Sequence, residues 1–138
     1  MFDELTKYKH HGNFGLMKDQ KLVDVCNAPE EAGVYYILML RKGKVDLVYI
    51  GASGTMNQNG KFSKQLLKGR LTKGKQDGVL RQHYFTSMFL LHYMYALDIY
   101  WFVTYDNYTQ DLPMYVEGVL MQKYFEIHGC LPLWNKEF

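Results

Sequence analysis

Residues 33–51 read GVYYILMLRKGKVDLVYIG. Residues 34–40 and 45–50 are rich in β-branched, aromatic and aliphatic side chains, and Arg41, Lys42 and Gly43 interrupt them. That pattern predicts a β-hairpin. A three-residue loop closes well on glycine, which takes a left-handed conformation without steric cost. With Leu40 paired to Lys44 across such a loop, Tyr35 stands directly opposite Tyr49. Directly paired residues project from one face, about 4.5–5.5 Å apart at Cβ. A two-residue loop would move the register by one and send the phenols to opposite faces. Gly33 and Gly51 flank the pair, and strand-end glycines mark close approach of a backbone or a ligand. The chain holds 12 tyrosines, so a pair of ordinary sheet tyrosines is the plainer alternative.

The whole chain bounds what surrounds this hairpin. Its 138 residues suffice for one domain with a sizeable core. At 48% hydrophobic and 22% charged, the composition is globular and not that of a disordered chain. The formal net charge is only +2, so binding to nucleic acid must rest on local charge. Cys26 and Cys130 sit in no CxxC or Cys/His pattern, which reads as two reduced thiols in a cytoplasmic protein. The opening MFDELTKYKHH lacks the plan of a signal peptide. The most apolar run, 88–103, is broken by His92 and Asp98. It is shorter than the roughly 20 residues of a membrane span, so it is expected to be core, with no membrane partner.

Ahead of the hairpin, residues 1–11 suggest a short helix with Phe2, Leu5 and Tyr8 on one side. Adjacent His10 and His11 would point in different directions and carry no metal role. Residues 12–28 read as a connector, with a short strand at 21–26. Behind the hairpin, residues 52–60 form a turn-rich loop of the length that tends to be functional. Residues 61–75, KFSKQLLKGRLTKGK, carry Lys61, Lys64, Lys68, Arg70, Lys73 and Lys75 with no acid, and Phe62, Leu66 and Leu67 give a helical apolar stripe. Such a run either neutralises phosphates or is a solvated helix face. Asp77 is placed to cap a buried helix over 79–95, on which His83 and His92 read as core or rim and Arg81 as structural. The third strand, 99–105, is apolar throughout and expected to be central.

Asp111, Leu112 and Pro113 signal a helix start, and Gly129 its end. Within that helix Glu117 is the single charge in MYVEGVLM. A glutamate on an apolar face needs a cation, a metal or a proton. It is either half of a buried ion pair or a metal ligand. Gly118 beside it suggests close packing on another element. Asn135 is placed to hydrogen-bond back to the core. The expected architecture is a single α+β domain: a small three-stranded antiparallel sheet (34–40, 45–51, 99–105) flanked by helices, with residues 1–31 an extension packed on 32–138.

Gly33-Val34-Tyr35 and Tyr49-Ile50-Gly51, followed in order by Arg70, Glu117 and Asn135, resemble the GIY-YIG nuclease family over roughly residues 32–136. The family's three-stranded core agrees with the expected sheet. The resemblance implies an endonuclease that hydrolyses phosphodiester bonds of DNA with one Mg²⁺ or Mn²⁺. Carried over, Glu117 holds the metal, Arg70 neutralises the phosphoryl oxygens, and Tyr35 takes the proton of the attacking water. Tyr49 then positions the water or the phosphate, and Asn135 orients the glutamate or the substrate. Lys61, Lys64, Lys68, Lys73 and Lys75 would line the DNA. Many members have a histidine four residues after the arginine; Gly74 stands there in this chain. The long Tyr49–Arg70 spacing is similar to that of the family's restriction endonucleases and leaves Arg81 as a second candidate arginine. One active site cuts one strand, so cutting both calls for a homodimer or two sequential events. The alternative is a nuclease-like module that binds nucleic acid or a partner and cuts weakly or not at all.

Overall fold

The computed structural model describes residues 2–63 and 65–138. Lys64 of the basic run lies outside the described residues. The centre is a four-stranded antiparallel sheet, not a three-stranded one. Its strands are β1 (His11–Met17), β2 (Gly33–Arg41), β3 (Lys44–Ser53) and β4 (Ala96–Val103), in the order β1-β4-β2-β3. The added strand is β1, which pairs antiparallel with β4 along its whole length. Its alternation shows in the burial: Phe14 and Leu16 are buried while Asn13, Gly15 and Met17 are exposed. Two glycines and an asparagine hid that period. The strand expected at 21–26 is instead a single helical turn, α1 (Leu22–Val25).

The hairpin joins β2 to β3 through two residues, Lys42 and Gly43, with Gly43 at φ +70°. Continued unbroken, that register would pair Tyr36 with Tyr49 and put the two phenols on opposite faces. A β-bulge reverses this. Ile37 pairs with Tyr49 but Leu38 pairs with Leu47, so Val48 is the extra residue. Beyond the bulge Tyr35 pairs with Gly51, and Tyr49, two residues away on the same strand, shares its face. The expected direct pairing of Tyr35 with Tyr49 is therefore corrected to a diagonal one. The carbonyl of Val48 accepts a hydrogen bond from the Trp134 N–H at 2.8 Å, so the tail braces the bulge from the edge of the sheet.

Helices cover both faces. On the face of Tyr35 lie α2 (Leu67–Lys73) and α3 (Arg81–His92), which bury Leu67, Leu71, Phe85 and Phe89 against Ile37, Leu97, Ile99 and Trp101. On the other face α4 (Pro113–His128) and a 3₁₀ turn at Asp3–Lys7 bury Val116, Leu120, Met121 and Leu5 on Val34 and Ile50. The basic stretch is helical only over α2, and residues 75–76 and 79–80 form a small hairpin. Asp77 sits in its turn at φ 51° and caps nothing; α3 starts at Arg81 and ends at Tyr93, also left-handed. Asp111 likewise caps no N–H of α4. It accepts hydrogen bonds from Tyr8 at 2.7 Å and Lys7 at 2.8 Å. No helix among the described residues is long and apolar enough to cross a membrane.

Candidate active site

The two phenols meet where the bulge puts them. The rings of Tyr35 and Tyr49 lie 6.0 Å apart at their centroids, inclined by 30°. Gly51 makes the space: a Cβ there would lie 2.5 Å from Tyr35 Cζ and 2.9 Å from Tyr49 Cε2. A side chain at that position would evict one phenol or the other. Gly33 answers a different need. Its missing Cβ would overlap the Phe102 carbonyl oxygen at 2.0 Å, so it serves the tight approach of β4.

Tyr35 is only 1% exposed, whereas Tyr49 is half-buried. Burial pushes the Tyr35 phenol up, further than the guanidinium of Arg81 and then that of Arg70 pull it down. The charges of Tyr49 and Glu117 also raise it. Arg70 on α2, Tyr49 on β3 and Glu117 on α4 thus all act electrostatically on one buried oxygen. α4 packs on the opposite face, but β3 is the edge strand. Glu117 is half-buried and makes no hydrogen bond or ion pair among the described residues. Burial pushes its carboxyl up to about 7, and the charge of Arg70 opposes the shift. The ion pair open to Glu117 from its sequence is not formed among the described residues. Arg70 has a buried Nε with no partner among the described residues.

Neither a family model, nor a curated protein, nor a solved structure matches this chain. Its chemistry must therefore be read from these side chains alone. A half-buried carboxyl with no ion pair among the described residues suits a hard divalent cation. Mg²⁺ is commonly held by one or two carboxylates, with water and substrate phosphate completing its shell. No cluster of three or more His, Cys, Asp or Glu side chains occurs among the described residues, so Glu117 would be the protein's own contribution.

Asn135 hydrogen-bonds back to the sheet, as its sequence position suggested. Its Oδ1 accepts from the Ile50 N–H and its Nδ2 donates to the Ile50 carbonyl, both at 3.0 Å. It extends the sheet by one residue's worth of pairing and holds the strand that carries Tyr49 and Gly51. Lys61, Lys68, Lys73 and Lys75 are exposed and form no ion pair among the described residues. The run is not wholly uncompensated, because the Glu30 carboxylate accepts the Gly69 N–H at 3.1 Å. Sequence reasoning also passed over Arg81 as a scaffold residue. It is 1% exposed. Its Nη2 donates to Tyr35 Oη at 3.0 Å, its Nη1 to Gln76 Oε1 at 2.7 Å and its Nε to the Arg70 carbonyl at 3.2 Å. The available signal was a single charge, Arg81, opening a helix with no other Lys, Arg, Asp or Glu, with a glutamine five residues earlier.

Proposed function

We propose that the protein is a divalent-metal-dependent endonuclease of the GIY-YIG kind, hydrolysing phosphodiester bonds of DNA. The observation that carries this reading is the stacked pair Tyr35 and Tyr49 on one face of the sheet, with Gly51 bare so that the phenols fit and the charges of Arg70 and Glu117 felt at Tyr35. The order of these residues along the chain, which resembles that family, supports it, and so does an antiparallel sheet flanked by helices.

In this reading Arg70 lies against the phosphoryl oxygens, where a planar, permanently charged donor stabilises charge that develops in the transition state. Tyr49, the more open phenol, positions the attacking water, and Tyr35 takes its proton. Glu117 holds Mg²⁺ or Mn²⁺, which when bound supplies polarisation of the phosphate and stabilisation of the leaving 3′ oxygen. Asn135 keeps the Tyr49 strand in register. Lys61, Lys68, Lys73 and Lys75 attract the DNA backbone, with Lys64 of the same run. The reading places the protein in the cytoplasm and has it cut both strands as a homodimer or in two steps. Supercoiled plasmid incubated with Mg²⁺, Mn²⁺, Ca²⁺ or EDTA is the test. Nicking that needs Mg²⁺ or Mn²⁺ is expected; none under any condition would refute it.

A second reading has one observation in its favour. Burial raises the phenol of Tyr35 and leaves it 1% exposed, which suits a nuclease-like module that binds nucleic acid without cutting. Salt-dependent DNA binding with intact plasmid would select it.

A further inference from the structure

A buried guanidinium is ordinarily paired with a carboxylate, because an uncompensated charge costs several kcal/mol to take out of water. Arg81 has no such partner among the described residues. It faces three aromatic rings instead: its guanidinium carbon lies 5.4 Å from the Tyr35 centroid, 5.7 Å from Tyr49 and 6.0 Å from Phe85. Ring faces attract cations but replace a carboxylate only in part. The arrangement is built. Gln76, 5% exposed, reaches Arg81 from the 75–80 hairpin and leaves its own Nε2 without a partner among the described residues. The backbone N–H of Arg81 donates to the Gly74 carbonyl at 3.0 Å.

The consequence falls on Tyr35. A phenol oxygen both accepts and donates. Here the oxygen accepts from Arg81 at 3.0 Å, while the phenol's own hydrogen has no acceptor among the described residues. Arg81 thus occupies one acceptor position of the oxygen and leaves its other lone pair and its hydrogen unclaimed among the described residues, beside the Tyr49 ring. We propose that Arg81 is a positioning residue of the nuclease site, acting through Tyr35: its Nη2–H fixes the phenol oxygen and supplies the positive charge behind it, while Arg70 alone meets the phosphate. This rests on the nuclease reading above and adds a division of labour between two arginines.

The experiment compares wild type with Arg81→Met, Arg81→Lys, Gln76→Leu and Tyr35→Phe, each checked for fold by circular dichroism. Three quantities are read: the single-turnover rate of plasmid nicking in Mg²⁺, DNA affinity in Ca²⁺, and the guanidinium N–H signals of Arg81 in ¹⁵N NMR. Arg81→Met should lose about 100-fold in nicking rate, the scale of a misplaced acid–base group, with DNA affinity within roughly threefold of wild type. Arg81→Lys, which keeps the charge but not the fork, should fall between the two. If Arg81→Met does not fold, Gln76→Leu decides, since it loosens the arginine and keeps its charge; it should lose about tenfold in rate. An Arg81 N–H signal should shift in Tyr35→Phe. Folded Arg81 and Gln76 variants that nick at the wild-type rate would overturn the inference and leave the nuclease standing. Arg81 signals indifferent to Tyr35→Phe would overturn it too. A wild type that nicks nothing would remove the nuclease reading, and this role with it.

Discussion

Arg70 and Arg81 both act on Tyr35 from the same side of the sheet, yet they live in opposite surroundings. Arg70 sits in a lysine-rich helix, half-exposed, with one buried nitrogen unsatisfied among the described residues and its charge felt at Glu117. Arg81 is sealed among aromatic rings with three hydrogen bonds in place. The first is arranged to receive something; the second is already engaged. A cation that meets a substrate must keep spare donors and some access to water. A cation that holds another side chain must give up both.

The sharpest way to break this contrast is Arg70→Ala. Nicking should fall about 100- to 1,000-fold, the loss typical of one preorganised charge donor, while the melting temperature barely moves, as for other part-exposed substitutions. A large fall in stability with little loss of rate would exchange the two arginines' roles.

Glu117 supplies the next effect. Its folded-state carboxyl is raised to about 7 from an ordinary 4.5, so folding favours the protonated acid. The stability this contributes is fully present below pH 4.5 and is lost as pH rises to 7. Between pH 4.5 and 8 the metal-free protein should lose about 2–3 kcal/mol through this group. Glu117→Gln should abolish that slope in denaturant titrations, and Mg²⁺ or Mn²⁺ at pH 8 should stabilise wild type but not the variant. A flat pH dependence in wild type would mean that the carboxyl finds a partner in solution.

Asn135→Ala comes third. It removes both hydrogen bonds to Ile50 and should lower stability by about 1–3 kcal/mol, with DNA affinity unchanged. Smallest is the double replacement of Lys73 and Lys75 by Ala, which should weaken DNA binding without altering stability. It should also reduce the salt dependence of binding, by about one unit of log–log slope for each phosphate no longer neutralised. An unaltered slope would make these lysines a solvated face.

How far the sequence carries follows the same division. Strands β2, β3 and β4 and helix α4 announce themselves by apolar runs and by Pro113 and Gly129 at the helix ends. Strand β1 does not, because half its positions are glycine or polar and only pairing with β4 makes it a strand. That both phenols share a face was legible, but the reason was not. The turn is one residue shorter than Gly43 suggested, and a bulge at Val48, braced by Trp134, restores the parity. A bulge fixed by a tail so far along the chain leaves no local mark. Among the site residues, Glu117 stands out as a charge against apolar neighbours, and Arg70 as the one arginine of the basic run that follows the two tyrosines. Arg81 read as scaffold and Gln76 drew no reading, because their importance lies in what they touch, and the contact of Arg81 with Tyr35 spans 46 residues and is not periodic.

The most direct trial of the converging site is nicking by Glu117→Ala, verified as folded and still able to bind DNA in Ca²⁺. The expected result is loss of Mg²⁺- and Mn²⁺-dependent nicking to the level of the EDTA control. Undiminished nicking by that variant would contradict it.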